Sequence, residues 1–335
     1  MRCTIDSSSP SSRLPDTGAA PQAGRDGVVP RRWTLHGLNN GFIFSATYHG
    51  VRLLPRTVSY AIGTIGTWLA WALMRTCRAA VADNLRAIFP EETEATLQRR
   101  ALATFRAYAF DSIDFLRALD KPDAEELFDH TPESHELFEQ LLAEGHGIIV
   151  VTGHCGNWEM GSFLMRRTVA AQLTIIAMAE PSPDVNRIRN SIRERLGAET
   201  LEVRQSFDTA LQIRRRLGDN QMVAILMDRH LGRDRVAVTL LGRHAWLLRT
   251  PALLSYLTGA PLLPCFINRA QPGRFAVQLG DPIRVSRDLP RDEAIQRAAQ
   301  QFADQLGERL RKHPEHWYHF YRYWDAQRDS YEGLE

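Results

Sequence analysis

A short polar segment behind an apolar run constrains this chain more than any other feature. The run Gly147-Ile148-Ile149-Val150-Val151-Thr152 has the length and the β-branched content of a buried strand, and His154-Cys155-Gly156-Asn157-Trp158-Glu159 follows it. In open α/β sheets, ligands bind in the crevice beyond the carboxyl ends of the strands. The segment therefore predicts an α/β fold whose functional site includes residues 154–159.

Beyond about residue 133, helical and strand patterns alternate. Alternation of this kind predicts a mixed, mostly parallel sheet that is flanked by helices. The predicted strands are 147–152, 173–178, 221–227, 236–240, 261–267 and 274–279. The predicted helices are 134–144, 157–170, 184–196, 206–218, 249–258 and 291–312.

The first part of the chain follows a different pattern. Residues 1–32 are rich in Ser, Pro, Gly and Arg without an apolar stretch, which indicates a disordered leader and not a signal peptide. Residues 57–74 are uncharged with arginines on both sides, and their length reaches the lower limit for a membrane span. We expect a membrane helix that spans the bilayer or lies in its interface; a buried soluble helix is the alternative. Apolar spacing over 93–118 predicts another helix.

These patterns predict four parts of the chain. They are a leader at 1–32, an N-terminal helical region at 33–120, an α/β domain at 121–325 and a tail at 326–335. The four cysteines have no spacing typical of a disulfide framework, which favours a reducing environment. The basic residues are nearly all arginine, which reflects either genome composition or selection for bidentate binding of phosphate and carboxylate.

His154 and Glu159 are the candidate catalytic pair. Residues five apart on one helix point about 140° apart, so the two side chains meet only if His154 lies in a loop and Asn157 caps the helix that carries Glu159. Glu159 would then accept one imidazole N–H, and the other nitrogen would act as a general base toward a hydroxyl. The alternative is a helix start with a structural histidine and a first-turn glutamate.

Other chemistries fit the segment poorly. A metal site would need more ligands at usable spacing, and the segment is not HExxH. A Cys155–His154 dyad is disfavoured because neighbouring residues in an extended chain point in opposite directions. No GxSxG segment follows a predicted strand, which disfavours a hydrolase. We therefore expect no metal and no cofactor.

A second polar cluster, residues 228–235, follows another apolar strand. Its arginines, Arg229, Arg233 and Arg235, are suited to bind an anionic acyl donor or to stabilise a developing oxyanion. A solvated, charged hairpin is the alternative.

Taken together, these blocks resemble the bacterial late lipid A acyltransferases, a branch of the lysophospholipid acyltransferase superfamily. Residues 154–159 match the HxGNWE motif of that branch, whereas the wider superfamily has only a His-x4-acid motif. Further blocks are similar and occur in the same order: Asn84-Leu85, Phe89-Pro90, residues 228–232, Leu241-Gly242, Thr258-Gly259-Ala260-Pro261 and residues 314–324. The resemblance covers about residues 35–325.

The resemblance implies a membrane-associated O-acyltransferase. It implies transfer of a fatty acyl chain from acyl-carrier protein or acyl-CoA to a hydroxyl of a lipid A precursor or related glycolipid, at the cytoplasmic face of the bacterial inner membrane. His154 would be the base and Glu159 its orienting partner, and no nucleic acid would take part. The residues expected to bind substrate are Asn157, Asp228, Arg229, Arg233 and Arg235.

Departures from the family pattern leave the acceptor open. His316 replaces the usual glutamine, Asp325 stands where a basic residue is common, and the Arg229-His230 block differs from the usual Asp-Gln form. A different glycolipid or lipid-like acceptor is therefore an alternative, as is a lipid-binding protein without catalysis.

Overall fold

The computed structural model describes residues 47–48, 50–119, 127–129, 132–161, 171–178, 183–195, 198–203 and 207–328. The predicted leader at 1–32 lies outside the described residues, as do all but the first three residues of the predicted tail.

A seven-stranded sheet forms the centre of the fold, in the strand order β1-β9-β8-β2-β5-β3-β4. Every neighbouring pair in it is parallel except β8 and β9. A separate antiparallel hairpin consists of β6 and β7. The mixed, mostly parallel sheet that the sequence predicts is therefore confirmed. The strands are β1 (Phe128–Asp129), β2 (Ile148–Thr152), β3 (Leu173–Ala177), β4 (Glu199–Glu202), β5 (Met222–Leu226), β6 (Val236–Leu240), β7 (Arg243–Leu247), β8 (Leu262–Gln271) and β9 (Arg274–Leu279).

Helices cover the sheet, as predicted. They are α1 (Arg56–Leu73), α2 (Arg75–Ile88), α3 (Glu94–Ala118), α4 (Pro132–Ala143), α5 (Pro183–Arg195), α6 (Phe207–Gly218), α7 (Thr250–Thr258), α8 (Arg291–Lys312) and α9 (Tyr323–Arg328). The sequence did not predict α2, α9, β1, β4 and β7. The predicted helix 157–170 differs as well, because Trp158–Met160 form a 3₁₀ turn and residues 162–170 lie outside the described part.

The N-terminal helices pack against the sheet domain. Val81 and Leu85 of α2 belong to the same buried cluster as Ile149 of β2 and Val223 of β5. α1 packs mainly on α3, whose first turn is capped by the hydroxyl of Thr93. Within the described ranges, no helix is long and apolar enough to cross a membrane.

Residues 314–324, the closing segment, return across the carboxyl ends of the strands. The N–H of Gly156 donates to the carbonyl of His316 at 2.8 Å, and the N–H of Tyr318 donates to the carbonyl of His154 at 2.9 Å. The closing segment therefore runs antiparallel beside the loop after β2 and covers it.

Asn84 of α2 anchors the closing segment. Its Nδ2 donates to the carbonyls of His319 at 3.0 Å and Tyr321 at 2.7 Å. Its Oδ1 accepts the N–H of Tyr323 at 2.9 Å. Asn84 is buried, so its side chain satisfies three backbone groups that water does not reach. This contact gives the Asn84-Leu85 block a structural role.

Replacing Asn84 with Ala is expected to destabilise the protein by about 3 kcal/mol, because three buried backbone groups lose their hydrogen bonds. Urea unfolding measures the change. Asp83→Ala is the matched control, since the neighbouring Asp83 makes a surface ion pair with Arg86, and we expect a loss of less than about 1 kcal/mol there. Equal effects of the two substitutions would contradict the anchoring role.

Candidate active site

Two neighbouring parallel strands bring the first two site residues together. β2 and β5 pair in register, with Thr152 opposite Leu226 at their carboxyl ends. The chain continues for two more residues in each case, to His154 after β2 and to Asp228 after β5. Because parallel strands end at the same edge of a sheet, both side chains lie in the crevice there.

A buried carboxylate holds the imidazole of His154. Asp228 is fully buried, and its Oδ1 lies 2.7 Å from Nδ1 of His154. Its Oδ2 accepts the backbone N–H of His154 at 2.8 Å. An ionised carboxylate only accepts hydrogen bonds, so Nδ1 carries the proton and Nε2 is unprotonated. The His154 side chain is 18% exposed, which lets Nε2 serve as a base toward a bound hydroxyl.

A second histidine bonds the same carboxylate. Nε2 of His319 lies 2.9 Å from Oδ2 of Asp228, and the His319 ring is buried. The hydroxyl of Tyr321 lies 3.0 Å from the other nitrogen of that ring. The hydroxyl of Tyr323 donates to the backbone carbonyl of Asp228 at 2.7 Å. The closing segment therefore completes the site.

Burial and hydrogen bonding set the charges of this group. Burial by itself raises the pKa of Asp228, but His154 and His319 outweigh burial and hold this pKa well below its usual range. Burial, followed by the positive charge of Arg229, lowers the pKa of His154. The same two causes lower the pKa of His319 to about 3. At neutral pH, Asp228 is therefore ionised and both imidazoles are neutral, which is the state that a general base requires.

Glu159 has a different partner from the one predicted. Its carboxylate accepts two hydrogen bonds from Arg193 of α5, at 2.7 Å from Nη2 and 3.1 Å from Nε. Arg189 contributes a longer contact of 3.5 Å. Burial favours a raised pKa for Glu159, but Arg193 outweighs it and the pKa is lowered. The predicted hydrogen bond from His154 to Glu159 is therefore wrong, because Asp228 occupies that position at Nδ1.

Backbone hydrogen bonds fix the link between His154 and Glu159. The N–H of Asn157 donates to the carbonyl of Ile267 on β8 at 2.7 Å. Gly156 has a φ of +60°, and a Cβ on it would lie 2.2 Å from the oxygen of Ile267, so only glycine fits. Because residues 156–157 are bonded to β8 and to the closing segment, an α-helix does not begin at Asn157.

The side chain of Asn157 makes no helix cap, contrary to the prediction. Its Nδ2 donates to the carbonyl of Asp111 in α3 at 2.9 Å. The carboxylate of Asp111 is buried and accepts the hydroxyl of Tyr318 at 2.5 Å and Nε of Arg269 at 3.1 Å. Asn157 thus ties the site to α3 and the closing segment; its role in substrate binding stays a prediction.

The three arginines of the second cluster lie in different places. Nη2 of Arg229 lies 3.5 Å from Nδ1 of His319, so its charge is next to both histidines. Arg235 lies over the ring of Trp246 on β7, at 4.6 Å from the ring centroid. Arg233 is exposed in the turn after β5. Of the three arginines, Arg229 is the one that contacts His319.

The structure also bears on the thiol and metal chemistry considered for this site. Cys155 is buried, and burial raises its pKa well above the usual range, so its thiol is protonated at neutral pH. The ligand atoms of His154, Asp228 and His319 lie within 4.8 Å of one another, close enough for one metal ion. A metal would replace the two imidazole hydrogen bonds to Asp228. The expectation of no metal stays a prediction.

An imidazole held by a buried carboxylate, beyond the carboxyl ends of a mostly parallel sheet, is the arrangement of an α/β enzyme with a general base. The particular family follows from the sequence as a whole. The model of the bacterial lipid A biosynthesis acyltransferases matches residues 29–326, and the chain belongs to this family. The resemblance found in the sequence motifs, and the acyltransferase class that it implies, are confirmed.

Two curated relatives carry the name phosphatidylinositol mannoside acyltransferase. The protein of Mycolicibacterium smegmatis is 27% identical over 228 residues, which are 66% of this chain and 72% of that protein. A protein of Mycobacterium tuberculosis is 27% identical over 191 residues, which are 55% of this chain and 57% of that protein. The chain thus spans little more than half the length of the second relative.

The sequence predicts a substrate-binding role for Asp228 and gives no indication of a role for His319. The Asp228 side chain is closed to solvent and its oxygens accept hydrogen bonds from the two histidines, so it orients the His154 ring. One signal is present in the sequence: His154 and Asp228 each come just after the end of a predicted apolar strand. His319 had no such signal, because its position depends on the path of the closing segment.

A double-mutant cycle distinguishes the two partners considered for Glu159. The coupling energy of Glu159→Gln with Arg193→Met is expected to be about 2 kcal/mol, because each substitution removes a part-buried ion pair. The coupling of Glu159→Gln with His154→Gln is expected to be less than half as large. Chemical denaturation of the variants provides both energies. A larger coupling energy with His154 than with Arg193 would support the predicted His154–Glu159 contact and contradict the Arg193 pairing.

Proposed function

We propose that this chain transfers a fatty acyl group from an acyl thioester to a hydroxyl of a membrane glycolipid, with His154 as the general base. The observation that carries the proposal is the contact of 2.7 Å between Asp228 Oδ1 and His154 Nδ1. Because Nδ1 carries the proton in this contact, Nε2 is unprotonated. The family membership supplies the acyl-transfer class.

The reaction proceeds in one transfer without an acyl-enzyme. Nε2 of His154 removes the proton of the acceptor hydroxyl as its oxygen attacks the thioester carbonyl carbon. The tetrahedral intermediate collapses, the carbon–sulfur bond breaks, and the imidazolium returns the proton to the leaving thiolate. Asp228 stays ionised and stabilises the imidazolium while it exists.

Arg229 supports the developing negative charge. Its guanidinium lies beside His319 and over the ring of Tyr321, 5.4 Å from the ring centroid, and its positive charge is strong enough at His154 to lower the pKa of that imidazole. A fixed positive charge in a part-buried site stabilises an oxyanion more strongly than it would in water. Arg233 and Arg235, further out on the same loop, provide positive charge for a phosphate-bearing donor such as acyl-carrier protein or acyl-CoA.

The acceptor class is inferred from the relatives. They are named for phosphatidylinositol mannosides, and the family is named for lipid A biosynthesis. Both names describe acyl transfer to a lipid with a sugar headgroup. We infer that the acceptor here is a glycolipid hydroxyl, either of a lipid A precursor or of another glycolipid.

The exposed face of α1 supports attachment to a membrane. Ile62, Ile65 and Leu69 are each exposed over more than half of their surface. The buried residues of this helix are Ser59 and Thr67. Globular proteins usually place apolar residues inside, so a helix that exposes these three apolar side chains while two of its polar side chains are buried fits an apolar surrounding.

The two ends of α1 fit the same surrounding. Trp68 is exposed near the carboxyl end, and Arg52 and Arg75 are exposed beyond the two ends. Exposed tryptophan and flanking arginines are typical of helices that lie in the membrane interface. We therefore propose that α1 lies in the surface of the bacterial inner membrane, on its cytoplasmic side, and brings the site to its lipid acceptor.

His154→Ala is expected to lower acyl transfer by about a thousandfold, because the hydroxyl loses its base. The purified full chain is supplied with acyl-carrier protein or CoA thioesters and with a lipid A precursor or a phosphatidylinositol mannoside, and mass spectrometry detects the gain of one acyl chain. His244→Ala is the control, because His244 is exposed on the β6–β7 hairpin. Wild-type turnover in His154→Ala would refute the proposal. If the protein only binds lipid and does not catalyse, neither the wild type nor the variants will transfer an acyl chain.

Replacing Ile62, Ile65 and Leu69 together with Ser is expected to reduce membrane binding at least tenfold, because the buried apolar area in the interface is lost. Flotation of the full chain with vesicles that contain anionic phospholipid measures the binding. The control carries Leu211→Ser and Leu257→Ser, two exposed leucines on other helices. Unchanged flotation of the α1 variant would contradict this orientation of α1.

A further inference from the structure

The two carboxylate oxygens of Asp228 have different partners, and only one of them contacts the ring of His154. Oδ1 faces Nδ1 of His154 at 2.7 Å. Oδ2 accepts the backbone N–H of His154 at 2.8 Å and faces Nε2 of His319 at 2.9 Å. Two side chains donate to this carboxylate among the described hydrogen bonds. His154 belongs to the loop after β2, and His319 belongs to the closing segment.

The contacts of His319 define its tautomer. Nε2 faces an ionised carboxylate, so Nε2 carries the proton and donates it. Nδ1 is then an acceptor, and the Tyr321 hydroxyl lies 3.0 Å from it. Nη2 of Arg229, which is only a donor, lies 3.5 Å from the same nitrogen. All three neighbours are thus compatible with a neutral ring that is protonated at Nε2.

The protein holds this ring in one place. His319 is buried, and the rings of Trp317, Tyr321 and Tyr323 lie around it, with ring centroids at 4.9, 5.2 and 4.8 Å. Its backbone carbonyl is fixed by Asn84. The ring therefore has a defined direction toward Asp228.

We propose that His319 is a positioning residue, which donates a hydrogen bond to Asp228 and keeps this carboxylate directed at His154. The inference rests on the proposed general-base function of His154. His319 does not touch the reacting atoms; it acts through Asp228. The closing segment would thus contribute to the rate of the reaction and not only to the packing of the site.

The proposal predicts a change in pH dependence. His154 faces Asp228, Arg229 and Glu159, and His319 faces Asp228 and Arg229 as well as Tyr321. Without the His319 donor, Oδ2 keeps only the backbone N–H of His154, so more of the negative charge of Asp228 acts on the imidazole of His154 and raises its pKa. Because the base must be unprotonated, activity would then be lost at a higher pH as the solution is acidified.

Two substitutions test the proposal in the full-length chain. His319→Phe removes the donor and keeps a planar ring, whereas the amide of His319→Gln is able to donate to Oδ2. We expect kcat to fall about ten- to hundredfold in His319→Phe with little change in KM, and to recover largely in His319→Gln. The acid limb of kcat/KM is expected to move to higher pH in His319→Phe and to stay at its wild-type position in His319→Gln. His313→Gln, in the same part of the chain, is the control.

Each outcome decides the matter. Wild-type kcat and an unshifted acid limb in His319→Phe would overturn the positioning role, and so would equal losses in the Phe and Gln variants. Absence of transfer by the wild type would overturn the proposed function itself. Nitrogen-15 NMR of histidine-labelled wild-type protein measures the tautomer of His319, and the His319→Gln variant assigns its signal. This test needs no activity assay and does not depend on the folding of His319→Phe. A neutral ring with its proton on Nε2 supports the proposal, and a proton on Nδ1 overturns it.

Discussion

A carboxylate without exposure to solvent needs hydrogen-bond donors in place of water, and Asp228 is such a carboxylate. Its donors come from two distant parts of the sequence, His154 after β2 and His319 in the closing segment. These parts meet only when β2 and β5 are in register and Asn84 of α2 holds the closing segment. The folding of the chain and the assembly of its site therefore depend on the same contacts.

The fold was largely predictable because its strands and helices carry strong periodic patterns. All six predicted strands are present, since apolar residues dominate each of them and turn residues separate them. The edge strand β4 was missed because its sequence, Glu199–Glu202, is half acidic and its burial is partial. The helix expected from Asn157 was wrong in its first turn, because β8 and the closing segment bind the backbone there. Contacts between segments far apart in sequence overrode the local pattern.

The site was predictable only in part. The position of His154 after a strand predicts its role, but the spacing within residues 154–159 points to Glu159 as its partner. Arg193 binds Glu159 in the folded chain, and the strand register brings Asp228 to His154 instead. A pairing register links residues 74 positions apart, and no spacing within one segment reports it. The position of His319 depends on the path of the closing segment, which is still further from His154 in sequence.

The central claim is that Asp228, and not Glu159, orients the catalytic base. The most direct test compares kcat of Asp228→Asn and Glu159→Gln in the purified full chain, with mass spectrometry of the acylated lipid as the readout. Asn preserves the shape of Asp228 but loses its charge. We expect kcat to fall at least about a hundredfold in Asp228→Asn and less in folded Glu159→Gln, with similar KM values. Wild-type kcat in Asp228→Asn together with loss of turnover in folded Glu159→Gln would contradict it.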